Sequence, residues 1–260
     1  MIKTLLKRIG LDYFLRNRIN EYDHLIKTAL DKGFEIMPHS QFYDLVKNNE
    51  VGSRKILMIR QDIDSDPSYC REWLRIEKKY KIHTSYYFRL CTIDIPIMKE
   101  VLAYGSDCGY HYEELASYAK RHKIKSAEEI QQHFDKIRKE FKQNLSTLEN
   151  QLGSKIRYIA SHGDFANRKL KMPNHTFINR EVLDENGLVF EAYDAEFLDN
   201  YSINIMDAGG PGYYNGPISQ LDALDHYQIV HLLLHPKNWR SSFYWNTYEN
   251  SKRFFEGLKY

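Results

Sequence analysis

The chain has 260 residues, 42% of them hydrophobic, which is enough to build the core of one barrel or of two small domains. Its 37 basic and 35 acidic residues are mixed along the sequence and give a net charge of +2. This balance argues against nucleic acid as a partner. No repeat, low-complexity tract or Pro/Gly/Ser linker divides the chain, so a single barrel is the expectation.

The beginning of the chain is basic but not continuously apolar. Charged residues interrupt every apolar stretch of residues 1–18, so the segment has neither a signal-peptide core nor the length of a spanning helix. Its basic residues could hold it at the anionic inner face of a membrane, although a solvated helix is the simpler expectation. We predict an N-terminal helical extension over residues 1–32 and a barrel domain over residues 33–260.

Three cysteines indicate the redox environment. Cys70, Cys91 and Cys108 are odd in number and lack the spacing of paired metal ligands. This pattern fits reduced thiols better than a disulfide framework, because stable disulfides form mainly outside the cytoplasm. The sequence therefore predicts a cytoplasmic protein, peripheral at the inner membrane face if residues 1–18 bind lipid.

Apolar segments alternate with helical segments along the chain. Helical periodicity predicts a helix opened by Asp66 as N-cap before Pro67, and a long helix that runs from the N-cap Ser126 to Gly153. Seven segments are predicted as strands: KILMIR, TSYYFRL, CGYHYEEL, IRYIASHG, GLVFEAYD, INIMDAGG and IVHLLLHP. Strands that alternate with helices imply parallel pairing, and seven such units favour a closed or nearly closed α/β barrel over a doubly wound open sheet.

Ionisable residues follow every predicted strand. In chain order they are Asp62 and Asp64, Arg89, His111 with Glu113 and Glu114, His162, Glu191 and Asp194, Asp207, and His235. Because the carboxyl ends of parallel strands meet on one side of a sheet, these side chains are expected around one rim. Imidazoles and carboxylates together are the ligands of a zinc-type or other divalent-metal hydrolytic centre.

Five motifs in this order resemble the polysaccharide deacetylase (NodB-homology, carbohydrate esterase 4-like) superfamily: RQDIDSDP, SYYFRL, GYHYEEL, ASHGD and LLLHPKNW. The resemblance covers about residues 33–240 and is to the branch whose first motif reads Arg-His-Asp-Val-Asp, often found in surface-polysaccharide biosynthesis. It implies a distorted seven-stranded (β/α) barrel. It also implies a metal-dependent hydrolase, with zinc the expected metal, that removes an N- or O-acetyl group from a sugar in capsule or O-antigen biosynthesis.

The resemblance assigns roles to four residues by position. It implies that Asp62 is the catalytic base, Asp64 and His111 are metal ligands, and His235 is the general acid. Two departures follow. The family's second metal-binding histidine lies four residues after the first, where this chain has Leu115, and position 61 is Gln instead of His. We favour His162 as the missing third ligand, with Glu114 as the alternative.

Three further residues are predicted at the substrate. Arg89 would hold a phosphate or carboxylate group or, alternatively, pair with Asp62. Asp207 would lie beside the ligand and hydrogen-bond His235, while Trp239 would stack on a sugar ring. The expected substrate is a small-molecule, nucleotide-linked or lipid-linked sugar.

Two other functions stay open at this stage. One is a catalytically degenerate barrel that binds a glycan or a biosynthetic partner, and the other is a metal-free amidohydrolase in which Asp62 and His235 activate water. Among the remaining histidines, His231 is interpreted as an interior residue, whereas His39 and others without a partner pattern are expected at the surface.

Overall fold

The computed structural model of the chain describes residues 9–207 and 218–260. Its centre is a parallel sheet. The strands are β1 (Glu35–Met37), β2 (Ile56–Ile63), β3 (Ser85–Phe88), β4 (Asp107–Tyr112), β5 (Tyr158–Ser161), β6 (Phe190–Glu191), β7 (Ile203–Met206) and β8 (Ile229–Leu234).

Helices connect the strands and cover the outside of the sheet. They are α1 (Ile19–Asp31), α2 (His39–Lys47), α3 (Cys70–Tyr80), α4 (Ile95–Tyr104), α5 (Glu114–His122), α6 (Ala127–Gln131), α7 (Phe134–Leu152), α8 (Phe165–Leu170), α9 (Arg180–Glu185), α10 (Ala195–Leu198), α11 (Gln220–His226) and α12 (Phe243–Lys259). Residues 9–14 are helical as well.

The strand order is β6-β5-β4-β3-β2-β8-β7, and every pairing is parallel. Among the described residues β6 and β7 do not pair with each other, so the curled sheet stays open between them. The predicted distorted (β/α) barrel is therefore confirmed, as a half-barrel. The short strand β1 was not predicted. It pairs with residues 56–58 of β2, and β3 pairs with residues 60–63 along the same edge of β2.

The alternation of side chains along β2 separates the two layers. Leu57, Ile59 and Ile63 belong to the large core cluster that the outer helices cover. Ile56 and Met58 belong to a smaller cluster that also contains residues of β6 and α10. Because residues two apart share a face, Arg60 and Asp62 continue the row of Ile56 and Met58. The row therefore changes from apolar to charged toward the carboxyl end of β2.

Two helix predictions need correction. A 3₁₀ turn (Pro67–Tyr69) precedes α3, and Asp66 has a positive φ of 41° with no side-chain cap bond. Its carboxylate instead accepts hydrogen bonds from Ser68 and Arg240, so the predicted side-chain N-cap is wrong. Ser126 does cap a helix, but that helix is α6, and α7 begins separately at Phe134.

Buried histidines occupy the barrel interior. His39 is fully buried, contrary to the surface placement expected for it, and its Nε2 lies 3.1 Å from Nε2 of His231. Nδ1 of His231 lies 2.8 Å from Asn204 Oδ1, and the ring stacks on Tyr201. Both imidazoles thus have protein partners, as interior residues require.

The N-terminal part of the described chain is packed against the barrel. Five residues of α1 belong to the large core cluster, and α1 contacts α3. The boundary predicted after residue 32 stays a prediction. The three cysteines are free thiols, and no described helix is long and apolar enough to cross a membrane.

Candidate metal centre

Parallel pairing brings six of the predicted rim residues together in one cavity of about 470 Å³, whereas the other five, Glu113, Glu114, Glu191, Asp194 and Asp207, do not line it. Its lining includes Asp62, Asp64, Arg89, His111, His162 and His235. Each of them ends or follows one of the strands β2, β3, β4, β5 and β8. Volume and position are those of a small-molecule site at the carboxyl ends of the strands.

Three side chains converge at the centre of this rim. Nδ1 of His162 lies 3.1 Å from Oδ1 of Asp64, and Nε2 of His111 lies 3.3 Å from the same oxygen. The two imidazole nitrogens are 3.3 Å apart. A tetrahedral ion with metal–ligand bonds of about 2.0–2.1 Å separates its ligand atoms by roughly 3.3–3.4 Å. The three atoms therefore have the spacing of one face of a tetrahedral metal site.

The chemistry of these donors also suits a metal ion. Nδ1 of His111 lies 2.9 Å from the carbonyl oxygen of Ala160, and this bond fixes the tautomer that leaves a lone pair on Nε2. Burial lowers the pKa of His162 and keeps its imidazole neutral. Oδ1 of Asp64 is buried and accepts no hydrogen bond, so a favourable partner for this oxygen is still required. Asp64, His111 and His162 can thus hold a metal ion.

Two rival arrangements fit less well. Glu114, the alternative third ligand, accepts hydrogen bonds from Tyr110 and Asn144, and burial raises its pKa. His162 could also join Glu113 and Asp164. However, Glu113 is 2.7 Å from an Arg89 nitrogen, and Asp164 binds Lys120 and caps α8. These carboxylates already have basic partners, whereas Oδ1 of Asp64 accepts no hydrogen bond and faces the nitrogens of His111 and His162.

Asp62 lies beside the three donors and is held by Arg60. Nε and Nη2 of Arg60 each donate to one carboxylate oxygen of Asp62 at 2.7 Å, a bidentate pair of two buried residues. Burial by itself raises the pKa of Asp62, but the charge of Arg60 and its two hydrogen bonds outweigh this effect and lower the pKa. Asp62 is therefore ionised at neutral pH, and its Oδ2 lies 3.3 Å from Nε2 of His111.

His235 reaches the rim from the opposite side. Its Nδ1 is 2.6 Å from Oδ1 of Asp207, and its backbone N–H donates to Oδ2 of the same carboxylate at 2.8 Å. Burial opposes the charged imidazolium, but Asp207 more than compensates and raises the pKa of His235. Nε2 lies 3.9 Å from Oδ2 of Asp64, so it is the nitrogen on the metal-ligand side.

The residues predicted at the substrate have other partners. Asp207 is buried and accepts hydrogen bonds from His235 and from the indole of Trp239 at 2.9 Å. The ring of Trp239 is only 1% exposed and packs edge to face against Tyr22 and Trp73. Sugar stacking on Trp239 is therefore wrong for this structure, because protein covers the ring. Its indole N–H instead donates to Asp207, the carboxylate that holds the imidazole of His235.

One of the two roles predicted for Arg89, an ion pair with Asp62, is wrong. Its guanidinium donates to Glu113 and lies 3.6 Å from Glu249, so it does not pair with Asp62. The partner of Asp62 is Arg60, which was not among the predicted site residues. The sequence does carry a signal for it, because a lone arginine in an apolar strand, two residues before a carboxylate, shares a face with that carboxylate.

Comparisons with known proteins give only distant likenesses. No family model and no curated protein matches the chain. A deacetylase from Streptococcus pyogenes in complex with acetate has a TM-score of 0.43 and 17% identity over 58% of this chain and 67% of its own. A CE4 family pseudoenzyme from Bacillus anthracis has a TM-score of 0.41 and 13% identity over 79% of this chain and 61% of its own.

A polysaccharide deacetylase from Bacillus cereus has a TM-score of 0.41 and 12% identity over 79% of this chain and 88% of its own. At such scores the likenesses carry no conclusion about the activity of this chain. The function of the chain is therefore inferred from its own side chains.

The contact between Asp207 and His235 makes a testable prediction. Asp207→Asn should lower the pKa of His235, because the carboxylate that stabilises the imidazolium is lost. A histidine whose pKa is higher in the folded than in the unfolded protein stabilises the fold at pH values below its unfolded-state pKa of about 6.5. This contribution to the free energy of unfolding disappears as the pH rises through the folded-state pKa. The variant should therefore cost about 1–3 kcal/mol of unfolding free energy at acidic pH and less at alkaline pH.

Titration of the His235 imidazole by NMR and urea unfolding on both sides of neutrality measure these two effects. Asp135→Asn is the matched control, because the side chain of Asp135 is 98% exposed and far from this pair in the chain. An unchanged His235 titration in Asp207→Asn would contradict the assigned contact.

Proposed function

We propose that the protein is a metal-dependent carbohydrate deacetylase, a hydrolase that removes an N- or O-acetyl group from a sugar. The observation that carries the proposal is the placement of three metal-compatible donor atoms between an ionised carboxylate, Asp62, and an imidazole of raised pKa, His235. The motif resemblance to polysaccharide deacetylases supports the same reaction and a role in surface-polysaccharide biosynthesis.

Asp64, His111 and His162 are the proposed ligands. Two nitrogen donors and one carboxylate oxygen form a donor set that zinc favours in hydrolytic sites. A bound divalent ion of this kind lowers the pKa of a water and polarises the acyl carbonyl. The bond from His111 to Ala160 and the burial of His162 keep both imidazoles ready to bind.

Asp62 is the proposed general base. It would accept a proton from the attacking water, and for this it must be ionised before the substrate arrives. Arg60 secures the ionised form and fixes the orientation of the carboxylate through two hydrogen bonds. The same pairing makes Asp62 a weaker base, so the reaction also needs a water that is more acidic than bulk water.

His235 is the proposed general acid. Asp207 holds its Nδ1, which leaves Nε2 to donate a proton to the departing amine or alkoxide. Asp207 also favours the protonated imidazole that this step requires. Trp239 and the backbone N–H of His235 bind the second oxygen of Asp207, so the carboxylate cannot rotate freely.

We place the activity in the cytoplasm. The three free thiols support this location, because reduced cysteines persist where disulfides are rare. The proposed substrate is then a sugar intermediate that is linked to a nucleotide or a lipid.

The proton-transfer roles predict the kinetics of two variants. Asp62→Asn and His235→Ala should each lower the rate of acetate release by roughly a hundredfold or more, since each removes a proton-transfer group. The measurement is acetate release from a panel of acetylated amino sugars, free and nucleotide-linked, with circular dichroism to verify folding. Asp225→Asn and His226→Ala on α11 are matched controls and should keep the wild-type rate. Wild-type turnover in either Asp62→Asn or His235→Ala would refute its assigned role.

A further inference from the structure

The cavity holds more positive charge than its carboxylates neutralise. Besides the metal donors, five basic side chains line it: Arg89, Arg168, Lys237, Lys252 and Arg253. Three of the four lining carboxylates outside the metal centre have a basic partner that does not line the cavity. Arg60 holds Asp62, and Lys120 binds both Asp164 and Glu256.

The last lining carboxylate, Glu249, lies 3.6 Å from both Arg89 and Arg253. Within the described residues, three lining cations then have no carboxylate within ion-pair distance and no hydrogen-bond acceptor for the side chain: Arg168, Lys237 and Lys252. The remaining segments, 1–8 and 208–217, contain no Asp or Glu that could pair with them.

These three cations come from separate elements around the metal centre. Arg168 lies on α8 after β5, Lys237 lies in the 3₁₀ turn after β8, and Lys252 lies on α12. Burial and the nearby Arg253 lower the pKa of Lys237, so this position disfavours a positive charge unless an anion accompanies it. Unpaired cations that converge on a cavity are the usual means of binding phosphate or carboxylate.

We infer that Arg168, Lys237 and Lys252 form a subsite for an anionic group of the substrate, most simply a phosphate. A phosphate monoester or diphosphate carries about two negative charges, which the three cations that lack partners are sufficient to neutralise. This inference deepens the proposed function, because it restricts the substrate to a sugar that bears a phosphate. Both a nucleotide and a phosphorylated lipid supply that group.

The test uses inorganic phosphate and isothermal titration calorimetry on chelator-treated protein, so that no metal ion contributes to binding. Wild type should bind phosphate saturably. Lys237→Met and Lys252→Met should each weaken binding about tenfold or more. Lys136→Met on α7 removes an exposed lysine outside the cavity and should leave the affinity unchanged.

The outcomes separate the subsite from the proposed chemistry. Absence of saturable phosphate binding by wild type, or equal affinity in Lys237→Met, Lys252→Met and Lys136→Met, would overturn the subsite. Phosphate binding with these variant effects would support it even if no acetylated sugar were hydrolysed, a result that counts against the deacetylase alone. Uridine diphosphate and dodecyl phosphate as competitors then distinguish a nucleotide source from a lipid source.

A second observation concerns the outer surface of α12. Six large apolar or aromatic side chains of this helix are 42–76% exposed: Phe243, Tyr244, Tyr248, Phe254, Phe255 and Leu258. At 100° per residue they fall within an arc of about 140°, so they form one face. The opposite side carries Asn246 and Glu249, which are buried against the protein. This helix therefore presents its apolar face to solvent and its polar face to the protein.

The apolar face of α12 continues onto residues 9–14. Asp12 accepts hydrogen bonds from Asn246 and Asn250, and the ring of Tyr13 lies 5.6 Å from that of Phe243. Phe14 beside them is 77% exposed. Two segments far apart in the chain thus build a single exposed apolar surface, which is unusual for a protein surface that has no partner.

The charges around this surface indicate its partner. The acidic residues of α12 face away from the apolar face, since Glu249 is buried and Glu256 pairs with Lys120. Lys259 on α12 and Arg16 are exposed and have no acidic partner among the described residues. Aromatic side chains flanked by unpaired basic residues are typical of helices that lie in the interface of an anionic membrane.

We propose that α12 and residues 9–14 dock on an anionic phospholipid surface. The test is co-sedimentation with vesicles of phosphatidylcholine and phosphatidylglycerol in equal parts, compared with phosphatidylcholine alone. Wild type should bind the mixed vesicles at least tenfold better, and the double variant Phe254→Ser with Leu258→Ser should lose at least tenfold in binding. Leu221→Ser, at an exposed leucine of α11, is the control and should bind like wild type.

A second copy of the chain is the rival partner for this face. Light scattering of the same proteins in solution decides between the two. A stable dimer that the double variant dissociates, without vesicle binding by wild type, would overturn the membrane proposal. A monomer that binds mixed vesicles through these residues would establish it.

Discussion

The buried ion pair between Arg60 and Asp62 is the interaction on which the rim of the barrel depends. Two isolated charges at this depth would each lose several kcal/mol of hydration free energy. The bidentate geometry offsets much of that loss, and the Arg60 guanidinium also lies 4.7 Å from the ring centre of Tyr193 and 5.4 Å from that of Tyr87. Because Arg60 balances the charge of Asp62, this carboxylate stays ionised at the buried end of β2.

The spacing of the proposed metal ligands Asp64, His111 and His162 depends on the parallel register of the strands next to β2. Asp62 on β2 is paired with Tyr87 on β3, and Tyr87 in turn with Gly109 on β4. His111 lies two residues beyond Gly109 and therefore reaches the level of the loop that carries Asp64. A side chain at Gly109 would collide with Tyr87 and with the carbonyl of Tyr158, since an added Cβ would lie 2.5–2.6 Å from them. The close approach of these strands needs glycine there, and it brings the imidazole of His111 to the carboxylate of Asp64.

Much of the fold follows from sequence patterns, because alternating strands and helices leave few architectures and ionisable residues mark the strand ends. The patterns do not reveal β1, which is only three residues long, or the interior placement of His39, which depends on contacts with Tyr87 and His231. Within the site, the neighbourhood of Asp64, His111 and His162 is predictable from strand ends alone. The bond between Asp207 and His235 is predictable as well, and Arg60 shares a strand face with Asp62. The partner of Arg89 is not predictable, because Glu113 is selected by side-chain geometry in three dimensions.

The central claim is that Asp64, His111 and His162 bind one metal ion, and metal analysis of purified variants tests it most directly. Wild type supplied with zinc should contain about one equivalent, and X-ray absorption at the zinc edge should show two imidazole nitrogens and carboxylate oxygen at about 2.0–2.2 Å. Asp64→Ala and His162→Ala should lose the metal, whereas Glu114→Gln should keep it, because Glu114 is bound to Tyr110 and Asn144. Zinc retained by His162→Ala, or less than a tenth of an equivalent in wild type, would contradict the account.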